Sequence, residues 1–248
     1  MYKRLTVITL LMVGSSISSA ADIPVSTLVS SQPSTGSAGI TLTIRNISSQ
    51  PLTGWLARTR VYEGSKLRMD LYNYMDVYVN AEHDHPLAPG ELVSSRVPGV
   101  YDNTKYKYES ELIGALFADG TAAGTSDGIR ILDGRRRALQ QGLAKSITTL
   151  STTTGNALGR EAAIRELSAG IRPATEADKL NHTERYIAMV NVQLSDFLTR
   201  SLGRVEDVCD DACSAARFDG ALHALTRWHA SLSKGMSERR IPTDQSAH

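Results

Sequence analysis

A chain of 248 residues is long enough for two domains, each able to bury its own core. Its 27 Lys and Arg face 26 Asp and Glu, a balance that removes the electrostatic case for nucleic acid or an anionic membrane surface as partner.

Lys3 and Arg4 precede the apolar run Leu5 to Val13, and Ser18-Ser19-Ala20 supplies the small residues that a signal peptidase reads. Residues 1–20 are therefore expected to be a signal peptide cleaved after Ala20, which leaves 25 basic against 26 acidic side chains. No later stretch approaches the roughly 20 apolar residues of a membrane span. The expected location is exported, periplasmic or secreted.

Residues 21–125 carry seven or eight short strand patterns separated by turn signals, the pattern of an antiparallel β-sandwich. Pro24 to Ser30 reads as a first strand and Ser31 to Gly39 as a Gly/Ser-rich turn. Ile40, Leu42 and Ile44 then alternate with Thr41, Thr43 and Arg45, which marks a strand with one buried face. After the loop Asn46 to Pro51, Trp55, Ala57, Thr59 and Val61 share a parity, and Trp55 is the expected core aromatic.

Between Lys66 and Asn80, Leu67, Met69, Leu71, Met75, Val77 and Val79 fall on one parity and Arg68, Asp70, Tyr72, Tyr74, Asp76 and Tyr78 on the other. Fifteen residues exceed the usual strand, so a bend near Asn73 is expected. One face would be apolar and the other a surface of tyrosines and charges. Tyr106 and Tyr108 repeat the theme opposite Lys105 and Lys107. Tyrosine offers a rigid apolar plate with a polar tip, so Tyr72, Tyr74, Tyr78, Tyr106 and Tyr108 are the candidate binding residues for a protein or glycan; the same residues are also good strand formers.

Asn80 to Glu91 reads as a loop. Within it Glu82, His83, Asp84 and His85 form the densest cluster of ligand-type side chains, and His83 and His85 on an extended segment point to the same side, a candidate zinc pair needing a third ligand. His-Glu-x-x-His is absent, and such loops are commonly just polar. Asp119, Thr121, Ser126 and Asp127 also invite a calcium reading, but their spacing is not that of an EF-hand loop.

The chain changes class between Glu111 and Arg137. An apolar run, Leu112 to Phe117, reaches Asp119-Gly120, expected as a two-residue type I′ hairpin turn, with Thr121 to Gly124 returning. Ser126 or Asp127 is then placed to cap a helix whose face is Ile129, Leu132, Leu139, Leu143, Ile147 and Leu150. Pro86-Leu87-Ala88-Pro89-Gly90-Glu91 before a strand, the Asp-Gly turn with Gly124, and arginines shortly into the next helix together resemble, over residues 40–137, a family of exported bacterial proteins that pair a small immunoglobulin-like sandwich with a helical tail. Ala122-Ala123 departs from that pattern, where a larger residue is expected. The resemblance implies the fold and the compartment; it carries no catalytic residue.

Residues 126–235 are expected to form a helical bundle or hairpin, making the chain α+β, with 236–248 a disordered tail. Helices are expected over 127–150, over 157–169, from Thr175 to Gly203 with a stripe of Ala177, Leu180, Ile187, Val190, Leu194, Phe197 and Leu202, and from Glu206 with a stripe of Val208, Ala212, Ala215, Leu222, Leu225 and Leu232. The triplet Arg135-Arg136-Arg137 is expected on a solvated face with an interdomain salt link. Cys209 and Cys213 are expected to pair as a local clip at a helix start, since an exported chain meets an oxidising compartment; metal or redox use is the alternative. Asn46-Ile47-Ser48 and Asn181-His182-Thr183 fit the glycosylation acceptor pattern.

Gly-x-Ser-x-Gly, a phosphate loop and a dinucleotide fingerprint are absent, and no cofactor is indicated. An enzyme assembled from distant residues needs no local motif, but the balance favours a binding or adaptor protein that uses the tyrosine face. The alternatives are a structural protein whose helices associate between chains, and a metal-binding protein or metal-dependent hydrolase centred on His83 and His85.

Overall fold

The computed structural model describes residues 25–27, 29–36, 39–80, 85–97, 105–169, 182–204 and 206–237. The expected signal peptide, His83, the start of the third expected helix with Ala177 and Leu180, Asn181, and residues 238–248 of the expected tail lie outside them; the first two residues of that tail, Met236 and Ser237, instead end the last helix, with Met236 packed on its core. The chain is α+β, with antiparallel sheets first and helices after.

A 3-10 turn, Val25–Thr27, precedes strands β1 (Val29–Gly36), β2 (Gly39–Asn46), β3 (Leu52–Glu63), β4 (Lys66–Asp76), β5 (Leu92–Val97), β6 (Tyr106–Phe117) and β7 (Ala122–Gly124). They form two sheets, ordered β1-β2-β5 and β4-β3-β6-β7, with every pairing antiparallel. The segment read as a turn, Ser31 to Gly39, is instead mostly β1, paired from Val29↔Asn46 to Gly36↔Gly39. Among the described strands β1 lies at the edge of its sheet, a position that tolerates Pro33.

The inward parities of the two sheets share one apolar interior. Leu42 and Ile44 from β2 meet Trp55 and Ala57 from β3, Met75 from β4, and Ala115 and Phe117 from β6. At its other end Ile40, Val61 and Val97 close it, with Met69, Leu71, Tyr106 and Tyr108 packed against them. β4 runs straight through Asn73, where a bend was expected; Asn73 Nδ2 donates across to Ser95 Oγ at 3.1 Å and to the Arg96 carbonyl at 3.4 Å. The expected parity breaks instead at Arg68, since Val61 opposes Met69 while Tyr62 opposes Leu67, and Leu67 is left exposed on the other face.

The outward face of the four-stranded sheet is treated differently along its length. From Leu52 to Ala57, β3 is buried at every position; beyond, Arg58 and Arg60 are half exposed between buried Thr59 and Val61. Helices cover the first half. The second half carries a ladder of ion pairs, with Arg58 Nε to Asp70 Oδ1 at 2.8 Å, Arg60 to Glu111 at 3.0 Å, and Lys105 to Glu63 at 2.9 Å.

The helices are α1 (Ser126–Thr152), α2 (Ala157–Ala169), α3 (His182–Ala188), α4 (Val190–Leu202) and α5 (Asp211–Ser237). A bulge in β6 seats the first. Leu56 opposes Gly114 while Ala57 opposes Leu112, so Ile113 is an extra residue and the side chains beyond it change faces. Its carbonyl accepts from the Thr125 amide at 2.9 Å and from Thr125 Oγ1 at 3.2 Å. Thr125, rather than Ser126 or Asp127, is the N-cap: its Oγ1 accepts from the Gly128 amide at 3.0 Å. The helix can approach this closely because a Cβ on Gly128 would stand 2.1 Å from the Ile113 carbonyl oxygen.

The hairpin into β7 has a three-residue connection, Ala118-Asp119-Gly120, not the two-residue turn expected. Gly120 N donates to the Phe117 carbonyl at 3.1 Å, Phe117 N donates to the Thr121 carbonyl at 3.0 Å, and Gly120 takes φ 83°. This is a type I turn closed by a left-handed glycine. Asp119 is occupied locally, accepting from Thr121 N at 3.0 Å and Thr121 Oγ1 at 2.7 Å.

The helices close on an interior of Leu139, Leu143, Leu150, Val190, Leu194, Leu198, Leu202, Phe218, Leu225 and Leu232. Gly134 and Gly142 let α3 and α4 lie tight on α1, against Ile187 and Leu194. The α5 stripe is rotated from the one expected: Ser214, Phe218, Ala221, Leu225, Leu232 and Gly235 are buried, while Val208, Ala212 and Ala215 are exposed. Phe218 decides this, since alanines weigh little on either face. Among the described residues no helix is long and apolar enough to cross a membrane.

Candidate functional site

The site forms where the outward face of β4 meets α1, α3 and α4. Alternation along β4 puts Tyr72, Tyr74 and Asp76 on that face, and Tyr78 follows in the turn after the strand. On α1 the apolar stripe Ile131, Leu132, Leu139, Leu143 passes through Arg135 and Arg136, so both are carried inward. Arg137 alone of the triplet is exposed. The solvated face expected for the triplet is thus corrected for two of its three members.

Arg136 and Asp76 make the central pair, 3% and 1% exposed, with Nε donating to Asp76 Oδ2 at 2.8 Å. Nη2 also donates to Thr53 Oγ1 at 3.2 Å, and the second carboxylate oxygen accepts from the Tyr78 amide at 3.0 Å. Removing either charge would strand the other in the interior. The Tyr78 ring lies 4.8 Å from the Arg136 guanidinium and flat on Gly235, where a Cβ would come within 2.2 Å. Trp228 Nε1 donates to the Tyr78 carbonyl at 2.7 Å and ties α5 to the same turn.

Arg135 sits between two rings, its guanidinium carbon 3.9 Å from the centroid of Tyr74 and 4.8 Å from that of Tyr186 on α3. Nη1 donates to the Tyr186 carbonyl at 2.8 Å and Nη2 to Gln193 Oε1 at 3.2 Å. Gln193 Nε2 in turn donates to the Tyr74 hydroxyl at 2.8 Å and to Asn80 Oδ1 at 3.2 Å. Tyr186 presents its ring edgewise to Tyr72 at 4.9 Å and to Tyr74 at 5.6 Å. Burial pushes the Tyr186 phenol far above its ordinary value, against the opposing pull of Arg135, and burial also raises Tyr72. Two buried atoms here, Arg135 Nε and the Tyr186 hydroxyl, have no hydrogen-bond partner among the described residues.

The five candidate tyrosines are therefore divided. Tyr72 and Tyr74 share one cradle, Tyr78 packs beyond it against Arg136, and Tyr106 and Tyr108 turn to the opposite side, toward the inter-sheet interior. The face expected to stand open is covered by the chain's own helices. Arg135, Arg136, Tyr186 and Gln193 were not singled out from sequence as binding residues; the signal for the arginines was a charged pair lying in register with an apolar stripe.

His85 is exposed, with Nε2 3.2 Å from Glu91 Oε1. The Ala88 amide, donating to Glu91 Oε2 at 2.8 Å, and then His85 hold that carboxyl below its usual range. Among the described residues no group of three His, Cys, Asp or Glu is arranged to hold a metal ion. Cys209 and Cys213 are disulfide-bonded, with Cα atoms 5.6 Å apart across the first turn of α5. Asp210 Oδ1 accepts from the Cys213 amide at 2.8 Å. Buried Arg160 holds the preceding loop, donating to the carbonyls of Leu202, Arg204 and Asp207 at 3.2, 3.0 and 2.8 Å. Asn46 is fully buried, and its Nδ2 donates to the Gln50 and Leu87 carbonyls at 2.7 and 2.9 Å, so this amide is committed to the fold and is not open to a glycan.

Comparison with protein-family models, with curated proteins and with solved structures returns no match to this chain.

Proposed function

We propose that this chain is an exported, non-enzymatic binding or adaptor protein, an immunoglobulin-like β-sandwich followed by a helical bundle, whose recognition surface is the tyrosine-rich outward face of β4. One observation carries the reading. Tyr72, Tyr74 and Arg135 already hold a peptide segment, α3, through ring edges, a guanidinium over an aromatic face, and a hydrogen bond to a backbone carbonyl. These are the contacts by which aromatic surfaces recognise polypeptide. The groups in the cradle bind and orient; they do not pair a nucleophile with a base.

In-cell cross-linking of the full-length protein, with captured species identified by mass spectrometry, tests it. A reproducible envelope or extracellular partner, lost when Tyr72, Tyr74 and Tyr78 are all replaced by serine, is the expected result. Capture unchanged by the triple substitution refutes the assignment of the surface.

A structural role through helix association is favoured by a different feature. Leu158 and Val208 are exposed at the end of the molecule where Ala157 N donates to Asp211 Oδ1 at 2.8 Å, bringing the starts of α2 and α5 together. Under that reading the mass in solution exceeds one chain, and a strictly monomeric mass at high concentration refutes it.

A further inference from the structure

Helices α3 and α4 are separated by Met189 alone. Met189 N still donates to the Arg185 carbonyl at 3.1 Å, but Val192 N donates to the Met189 carbonyl, also at 3.1 Å, three residues back rather than four. Such a tightened turn inside a helical run is a joint. Of Thr183 to Ala188, only Tyr186 is fully buried, with Ile187 half-buried against Gly134. Docking α3 also leaves the Tyr186 hydroxyl and Arg135 Nε buried without partners among the described residues. An arrangement that pairs them without losing other contacts is favoured over this one.

We propose that α3 is a displaceable cover, and that the cradle beneath it, Tyr72, Tyr74 and Arg135, takes an aromatic side chain and adjacent backbone carbonyl of a partner peptide in place of Tyr186. The inference rests on the reading of the β4 face as a recognition surface. Tyr186 defines the occupant. Its ring fills the space between Tyr72, Tyr74 and the guanidinium, and its own carbonyl takes Arg135 Nη1. A peptide that brings an additional acceptor to Arg135 Nε makes a contact that α3 does not. Val190, Leu194, Leu198 and Leu202 anchor α4 in the helical interior independently of α3, so rotation at Met189 can release α3 while α4 stays in place.

Amide hydrogen exchange on the full-length protein tests the cover, and a synthetic peptide of residues 182–188, His-Thr-Glu-Arg-Tyr-Ile-Ala, tests the cradle. The Met189 amide, bonded to the last turn of α3, should exchange at least about 100-fold faster than the amides of Leu143 and Leu150, because it opens without global unfolding. Tyr186→Phe removes the unpaired hydroxyl and should slow that exchange roughly tenfold, a change that simple fraying of a short helix would not produce. Excess peptide should speed exchange at Met189 in the wild type, and it should bind Tyr186→Ala protein at least about tenfold more tightly than wild type. The same peptide carrying Tyr186→Ala should do neither.

Protection at Met189 equal to that of α1, or exchange indifferent to Tyr186→Phe, overturns the cover. Independent opening with no discrimination between the two peptides overturns the cradle. Failure of the broader functional reading is recognised separately, by partner capture that survives the triple tyrosine substitution whatever the exchange data show.

Discussion

Replacing Asp76 by leucine probes a buried ion pair that joins the sheets to the helices. Its carboxylate is 1% exposed and faces an Arg136 guanidinium that is 3% exposed. Solvent cannot reach either charge when the other is removed. Asp76→Leu also deprives the Tyr78 amide of its acceptor at 3.0 Å. Breaking one partner of a buried pair costs about 3–5 kcal/mol, whereas exchanging both for apolar residues of similar volume is far cheaper. For a chain of this size each kcal/mol lowers the thermal midpoint by about 2–4 °C. The assay is urea unfolding followed by circular dichroism, on Asp76→Leu, Arg136→Met and the double variant. Each single substitution should cost at least about 3 kcal/mol and the double variant should recover more than half of the summed loss, a coupling that a double-mutant cycle isolates. Single losses below about 1 kcal/mol, or simple additivity, would refute the view that a desolvated ion pair joins β4 to α1.

Further predictions concern other contacts. Because burial raises the Tyr186 phenol above its ordinary value of 10.0, its contribution to stability is complete below pH 10 and declines as pH rises beyond it, as the unfolded chain ionises first. Absorbance titration at 295 nm should show one phenol ionising after the others and absent in Tyr186→Phe; identical curves would contradict the burial. The facing groups, Tyr72, Tyr74 and Arg135, remain in both proteins. Gly128→Ala should cost at least about 2 kcal/mol by chemical denaturation, since its Cβ would meet backbone at 2.1 Å that no side-chain rotation relieves. A neutral result would mean that α1 does not lie on the β6 bulge as described. Cys213→Ser should cost only about 2 kcal/mol in thermal unfolding, because the loop closed is short, and should leave the β4 contacts unchanged.

The change from strands to helices near Thr125, the buried parity of β2 and the two faces of β4 from Met69 to Asp76 were legible in the chain, whereas the bulge at Arg68 that turns Leu67 outward was not. Each is a local periodicity, and side-chain direction in a strand or helix follows from the backbone alone. Periodicity divides a strand's residues between two faces but does not say what covers either one. β3 is buried on both faces from Leu52 to Ala57 only because α1 and α3, many residues later, arrive over the outward side. The same arrival converts Tyr72 and Tyr74 from an expected open surface into a covered one. It also carries Arg135 and Arg136 inside, where local sequence reads only a basic run. The N-cap fell at Thr125, ahead of Ser126 and Asp127, for a tertiary reason: the extra residue at Ile113 frees a carbonyl that Thr125 must satisfy, and that bond sets where α1 begins. Local periodicity settles which residues share a face. Tertiary structure decided which faces meet, because apolar area and buried charge find their partners across distances that no local pattern spans.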